Sequence, residues 1–308
     1  MDHEYNLSYI TLTGHVEVEK YRYVYFLIML ITYILIICCN STIVCLIFLH
    51  KNLHEPMYMF IAALLWNSIL FSTTIYPKLL IDFLSEIQVI TYSACLFQFF
   101  LFYSLGASEF LLLAAMSYDR YVSICKPLQY ITIMTQTTVT VVLVLSWLLP
   151  VCLILVLVIL SADMKLCEFT LKGIFCNNSV YQLTCVNSKV RSIFGAVTFS
   201  NIVVFPLLFI IFTYSKIFII SFQSSSEVRK KAAQTCLPHL LVLVGCTCLC
   251  VFDVSIPRLE TELPKLARLI MTLQVVSYHP LFNPIIYGLK MTEISKHLKR
   301  LFCPSRMG

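Results

Sequence analysis

Val24–Leu49 reads VYFLIMLITYILIICCNSTIVCLIFL, without one Asp, Glu, Lys, Arg or His. Roughly 20 apolar residues carry a helix across a hydrocarbon core, so this run is long enough to span one. Lipid demands a helix here, because each backbone N–H and C=O must be paired inside its own segment once water is absent. The period-two alternation of a barrel strand is missing. Working outward, Met57–Tyr76, Cys95–Met116, Thr138–Ala162, Ser192–Ser215, Ala232–Phe252 and Leu269–Leu289 repeat the pattern, uncharged or nearly so. Composition agrees: of 308 residues, 59% are hydrophobic and 12% charged, about half the charged share of a soluble globular chain. The sequence predicts an all-α membrane protein, a seven-transmembrane helix bundle forming one domain over 1–308. Its helices are expected over 24–49, 57–81, 95–121, 138–162, 192–222, 232–255 and 264–289. Membrane lipid is the partner such a chain needs, and no nucleic-acid site or cofactor is expected.

A mostly polar stretch precedes the first run, and that run is too long for the apolar core of a cleavable signal, so the first helix is expected to serve as its own insertion signal. Lys and Arg divide almost evenly between the two sides, and the positive-inside bias decides little. Other features decide the orientation. Asn6-Leu7-Ser8 and Asn177-Asn178-Ser179 spell glycosylation sites on one side, and glycan is added only on a lumenal face. Asn40-Ser41-Thr42 spells a third inside the first helix, where no glycan is expected. Cys167, Cys176 and Cys185, evenly spaced by nine, sit in the one long polar loop, and Cys95 opens the third helix on the same side. Four thiols on one face read as two disulfides and so as an oxidising compartment. The expected placement is the plasma membrane, multi-pass, with an extracellular N-terminus and a cytoplasmic C-terminus.

Connections are short except for Asp163 to Arg191, and a long cysteine-tied loop among short ones usually covers something functional. On the other side, Ser224 to Lys231 has the basic character of a cytoplasmic junction. Residues 290–302 place Ile294, Leu298, Leu301 and Phe302 on one helical face with Lys296, Lys299 and Arg300 largely opposite, which predicts a short amphipathic helix along the interface. Cys303 beyond it is either a palmitoylation site or a plain thiol.

Ionisable groups inside membrane helices are costly and single out functional positions. Asp119-Arg120-Tyr121 closes the third helix. Paired with its neighbour Arg120 is nearly neutral, and released it is a cation in search of acceptors, so the pair is read either as a two-state element or as a snorkelling end to the helix. A transporter or channel would need ionisable or broken-helix positions near the midplane, and only Glu109 approaches that. An intramembrane enzyme would need a motif such as His-Glu-x-x-His, which the sequence lacks, so no catalytic residue and no enzyme activity are expected.

The string Met116-Ser117-Tyr118-Asp119-Arg120-Tyr121-Val122-Ser123-Ile124-Cys125 resembles the third-helix signature of olfactory receptors, within the rhodopsin-like G-protein-coupled class. Pro56-Met57-Tyr58-Met59-Phe60 resembles that family's start of helix two, and Lys231-Ala232-Ala233-Gln234-Thr235-Cys236-Leu237-Pro238-His239-Leu240 its start of helix six. Asn283-Pro284-Ile285-Ile286-Tyr287 resembles its end of helix seven, and the wording of helices two and six looks most like the receptors of fishes. The resemblance spans essentially the whole chain. It implies an odorant-activated receptor that binds a small water-borne odorant in the extracellular half of the bundle and activates a stimulatory heterotrimeric G protein. The alternatives are a rhodopsin-like receptor for another small ligand, or a small-solute transporter. An aminergic receptor would ask for Asp where Phe102 stands.

Residue by residue, the resemblance pairs Cys95 with Cys176 and Cys167 with Cys185. It places Asn40, Trp147, Pro206 and Pro284 at packing and kink positions. Asp119, Arg120, Tyr121, Asn283, Pro284 and Tyr287 become parts of the G-protein switch, with Tyr214 and Tyr287 swinging toward Arg120 and His239 near the same cavity. The ligand wall would comprise Phe99, Phe102, Tyr103, Gly106 and Ala107 of helix three, Phe199 of helix five, Thr247, Cys250, Val251 and Val254 of helix six, and Tyr278 of helix seven. Gly106 and Ala107 are read either as room for a ligand or as close helix packing. Arg258 at the outer end of helix six is read either as a clasp for a carboxylate-bearing odorant or as a solvated cation paired with Glu260 or Glu262. This sequence departs from the family at Asn67 and Ser68, where many members carry an acidic residue facing the carboxylate that is here Glu109. Only a partial sodium site at Glu109 is expected, and no other metal. Thr247, amid Cys246, Cys248 and Cys250, stands where an aromatic residue is common.

Overall fold

The structure is a computed structural model. It describes residues 9–16, 18–186, 188–223, 226–259 and 264–302, without the side chains of 18, 226–229, 231–235, 254–259 and 302. Seven helices among the described residues are long and apolar enough to cross a membrane. They are α1 (Val18–Leu49), α2 (Pro56–Leu84), α3 (Tyr92–Cys125), α4 (Gln136–Ala162), α5 (Lys189–Phe222), α6 (Ser226–Leu259) and α7 (Lys265–Lys290), followed by α8 (Thr292–Phe302). The seven runs are all helical; α1 starts six residues before its run and α6 six before and four after, while α3, α4 and α5 start two or three residues early at polar caps. The Thr91 hydroxyl accepts from Ala94 N–H at 3.3 Å, Thr135 from Thr138 N–H at 3.2 Å, and Ser188 from Arg191 N–H at 3.3 Å, each satisfying an orphan donor at a helix start. Exposed Phe48, Ile159, Phe205 and Phe218 face outward, as a lipid-solvated surface requires.

Prolines interrupt the backbone ladders, and the bundle answers them locally. Pro284 has no N–H, so the carbonyl of Pro280 one turn earlier loses its partner. Asn40 Nδ2, arriving from α1, donates to that carbonyl at 2.8 Å and to the Ile36 carbonyl at 2.7 Å. In α5 a π-helical turn over Ser200–Val204 leads into Pro206. Trp147 Nε1 donates to Asn67 Oδ1 at 3.1 Å, and Asn67 Nδ2 donates to the Leu105 carbonyl at 2.9 Å, which ties α4, α2 and α3 together.

One end of the bundle carries a small sheet that no apolar periodicity announces. β1 (Tyr9–Leu12) pairs antiparallel with β2 (Val89–Thr91) and parallel with β3 (Thr170–Leu171). Ile10, Leu12, Ile90, Leu171 and Cys176 pack in one cluster beneath it. Two disulfides, Cys95–Cys176 and Cys167–Cys185, fasten the long loop at this sheet end. Asp119 lies at the opposite end, where α8 buries Ile294 and keeps Lys296, Lys299 and Arg300 toward the surface. Its first residue is Thr292, with Met291 capping α7.

Candidate functional site

Between the sheet end and the middle of the bundle lies a cavity of about 950 Å³. The wall from α3 is a stripe at helical spacing: Phe99, Phe102, Tyr103, Gly106, Ala107 and Phe110. Opposite it, Ser192, Gly195, Ala196 and Phe199 form the matching stripe of α5. Small residues on both helices leave space between aromatic ones; a Cβ added at Gly106 would meet nothing closer than Phe71 at 3.9 Å. From α6 come Cys246, Leu249, Cys250 and Asp253, and from α7 Val275 and His279.

Polar groups converge on this largely apolar space. Asp253 is 5% exposed. Its Oδ2 accepts from the Tyr103 hydroxyl at 2.7 Å and its Oδ1 from Asn177 Nδ2 at 3.3 Å, both neutral donors. The Tyr103 hydroxyl in turn accepts from Asn178 N–H at 3.0 Å, so the loop, α3 and α6 meet at one carboxylate. Arg191, also buried, lays its guanidinium over the Tyr181 ring at 4.3 Å. Burial pushes the Tyr181 hydroxyl up to about 12, against the pull of the Arg191 cation. Deeper in, Glu109 Oε1 accepts from Asn283 Nδ2 at 3.1 Å and stands 3.3 Å from His279 Nδ1, while Asn283 Nδ2 also donates to Ser68 Oγ at 3.2 Å.

At the Asp119 end the polar contacts are of another kind. Arg120 Nε donates to Asp119 Oδ2 at 2.9 Å, and its Nη2 closes on the same oxygen. Tyr130, on a single helical turn beside α3, donates to Asp119 Oδ1 at 2.8 Å. Burial first, then the Asp119 carboxylate, push the Tyr130 hydroxyl upward, so it stays protonated and keeps donating. The Tyr287 hydroxyl and His239 Nδ1 are 3.3 Å apart, and the buried Tyr214 hydroxyl has no hydrogen-bond partner among the described residues.

The sequence profile described as "Olfactory receptor" matches residues 29–305. The chain belongs to the olfactory receptor family. Olfactory receptor 1 of Rattus norvegicus is 31% identical over 305 residues, covering 98% of this chain and 96% of that relative. Olfactory receptor 4B1 of Homo sapiens is 29% identical over 299 residues, with 96% of each chain covered, and olfactory receptor 11H1 of Homo sapiens 35% over 283, covering 90% and 85%.

In this olfactory receptor Phe99, Phe102, Tyr103, Gly106, Ala107, Phe199 and Cys250 line the cavity, and Thr247, Val251 and Tyr278 do not. Thr247 turns its hydroxyl back onto the Leu243 carbonyl at 2.9 Å, and Val251 is 59% exposed. Tyr278 packs on Phe282 with ring centroids 4.4 Å apart and seals the α6–α7 seam, since a Cβ on Gly245 would stand 2.6 Å from its ring. On the described part of helix six the cavity face is 246, 249, 250 and 253, and 247 and 251 each stand one position, about 100° on a helix, from it. In helix seven Val275 and His279 take the place given to Tyr278. Asp253, Arg191, His279 and Tyr130 were missed; Asp253 was detectable as an acidic residue in register with Cys246 and Cys250. The side chains of Val254 and Arg258, with Glu260, Glu262, Asn6 and Cys303, lie outside the described residues, as does most of the junction at 224–231.

Asn177 is a correction. It is 3% exposed, its Oδ1 accepts from Ser179 N–H at 3.1 Å and its Nδ2 faces Asp253, so the nitrogen that would carry a glycan is enclosed by protein. The sequon is spelled but not presented.

Proposed function

We propose that this receptor sits in the plasma membrane with its N-terminus outside and its C-terminus in the cytoplasm, takes a small water-borne odorant into the cavity, and activates a stimulatory heterotrimeric G protein from the Asp119 end. The observation that carries the reading is the buried Asp253 carboxylate in a largely apolar cavity, met by neutral donors alone among the described residues. A mostly apolar pocket with a few convergent polar groups is the usual form of a small-ligand site. Asp253 favours an odorant that presents a cationic or hydrogen-bond-donating group, and Arg191 offers the complementary cation to an acceptor group. Because Asp253 belongs to α6 and its donors to α3 and the loop, a ligand that replaces those donors changes how α6 is held. At the far end that movement would let Arg120 leave Asp119.

Cells carrying the receptor and a cyclic-nucleotide reporter test this with paired odorants, one a primary amine and the other its alcohol analogue. Asp253→Asn should weaken the amine response by about tenfold or more while sparing the alcohol, since a desolvated charge pair is lost. Arg120→Ala should abolish both responses at unchanged surface level. Equal, small shifts for both odorants in Asp253→Asn would remove Asp253 from the ligand site, and full signalling by Arg120→Ala would remove the switch.

A further inference from the structure

The floor of the cavity gathers three metal-ligating side chains from three helices. Glu109 of α3, Cys246 of α6 and His279 of α7 are all buried, and their ligand atoms lie within 4.8 Å of one another. His279 is 7% exposed; its Nδ1 faces Glu109 Oε1 at 3.3 Å, an ion pair when the ring is protonated, and its Nε2 has no hydrogen-bond partner among the described residues. A buried imidazole nitrogen without a protein partner costs free energy unless water, an ion or a ligand supplies one. A shared cation would satisfy all three residues at once.

We propose that Glu109, Cys246 and His279 form a binding site for a divalent transition metal ion, zinc by the character of its donors. Thiolate, imidazole and carboxylate together are a borderline-soft set that suits Zn²⁺ and does not suit sodium or magnesium. Zinc holds such donors at roughly 2.0–2.3 Å, which puts them about 3.3–3.8 Å apart. The present spacing therefore needs a closing movement of roughly an ångström, within the reach of side-chain rotation. Three protein ligands leave one tetrahedral position open, as in zinc sites that accept an exogenous group. All three residues also line the cavity, so water or a donor atom of a cavity ligand would complete the shell. On binding, the Cys246 thiol proton leaves for solvent and the imidazole is neutral. The ion then ties α3, α6 and α7 at one point.

The test uses the full-length receptor in lipid nanodiscs, with Co²⁺ as the spectroscopic probe and Zn²⁺ as competitor. The wild type should develop sulfur-to-cobalt charge-transfer absorption that Zn²⁺ abolishes at one equivalent. Cys246→Ser should lose that absorption, and His279→Gln should weaken binding by more than about tenfold. Cys152→Ser, on the exposed face of α4, should leave it unchanged. Because a variant can fail to fold, the wild type supplies a second readout: Zn²⁺ should protect Cys246 from alkylation, read by peptide mass. Wild-type absorption in Cys246→Ser, or alkylation of Cys246 at the same rate with and without Zn²⁺, overturns the site. Neither readout depends on signalling, so the result stands whether or not the receptor reading does.

Discussion

At the sheet end, segments 81 residues apart are joined by a disulfide, a second disulfide closes the loop on itself, and three strands from distant parts of the chain share one small sheet. At the Asp119 end the described polar contacts around Asp119, Arg120, Tyr130, His239 and Tyr287 are single hydrogen bonds and an ion pair, each of which another partner can replace. Covalent links and sheet pairing fix a shape. Exchangeable polar contacts define a state. The end that carries the cavity is thus the more constrained, and the end proposed to meet the G protein is the one free to rearrange.

The sharpest way to break this contrast is to cut the covalent links. In the chain-entropy view the bond over 81 residues is worth about 4 to 5 kcal/mol and the bond over 18 about 3 kcal/mol. Cys95→Ser should therefore prevent surface delivery, and loss of Cys167 and Cys185 together should reduce it less; equal loss would show that the loop closure alone sets the shape. In the middle of the bundle, Asn40→Ala strands the Pro280 carbonyl at an expected cost of about 1 to 3 kcal/mol. Thermal unfolding in nanodiscs would reveal it, and no shift would mean that another donor reaches the carbonyl.

Acid should act on the sheet end through His15. Burial first, aided by Lys78, lowers His15 to about 4, so the fold keeps it neutral. The unfolded chain takes up a proton first as pH falls below about 6.5, so stability present above that value is lost between about 6.5 and 4, by less than about 2 kcal/mol at pH 5. The protection factors of the β1 amides should fall at pH 5 relative to pH 7, and His15→Phe should remove that fall; a fall that survives the substitution would mean that His15 does not carry it. The smallest effect belongs to Tyr130→Phe, which removes one donor from Asp119. Basal signalling should rise by up to about fivefold, the equivalent of 1 kcal/mol, and an unchanged baseline would mean that Tyr130 does not hold the resting state.

The spans were legible because lipid forces apolar residues into unbroken runs, and Val24–Leu49 displays that rule in one line of sequence. The disulfide-linked loop was legible as four thiols, though the pairing came from the resemblance. The sheet was not: β3 is two residues long, and no two-residue strand has a periodicity to read. Nor was the face of α6, because Cys246, Thr247, Cys248 and Cys250 are similar in size and polarity, and hydrophobicity does not separate the face toward the cavity from its neighbour. His279 became informative only once Glu109 and Cys246, from other helices, stood beside it.

The bond from Asn40 to the Pro280 carbonyl spans 240 positions in the chain. During synthesis α7 enters the membrane last, with a bare carbonyl that its own proline created, and the side chain that covers it emerged first. The seventh helix is thus completed by the first, so a receptor reassembled from two separately expressed fragments should depend on an intact α1 for the α7 half to settle, wherever between them the chain is cut.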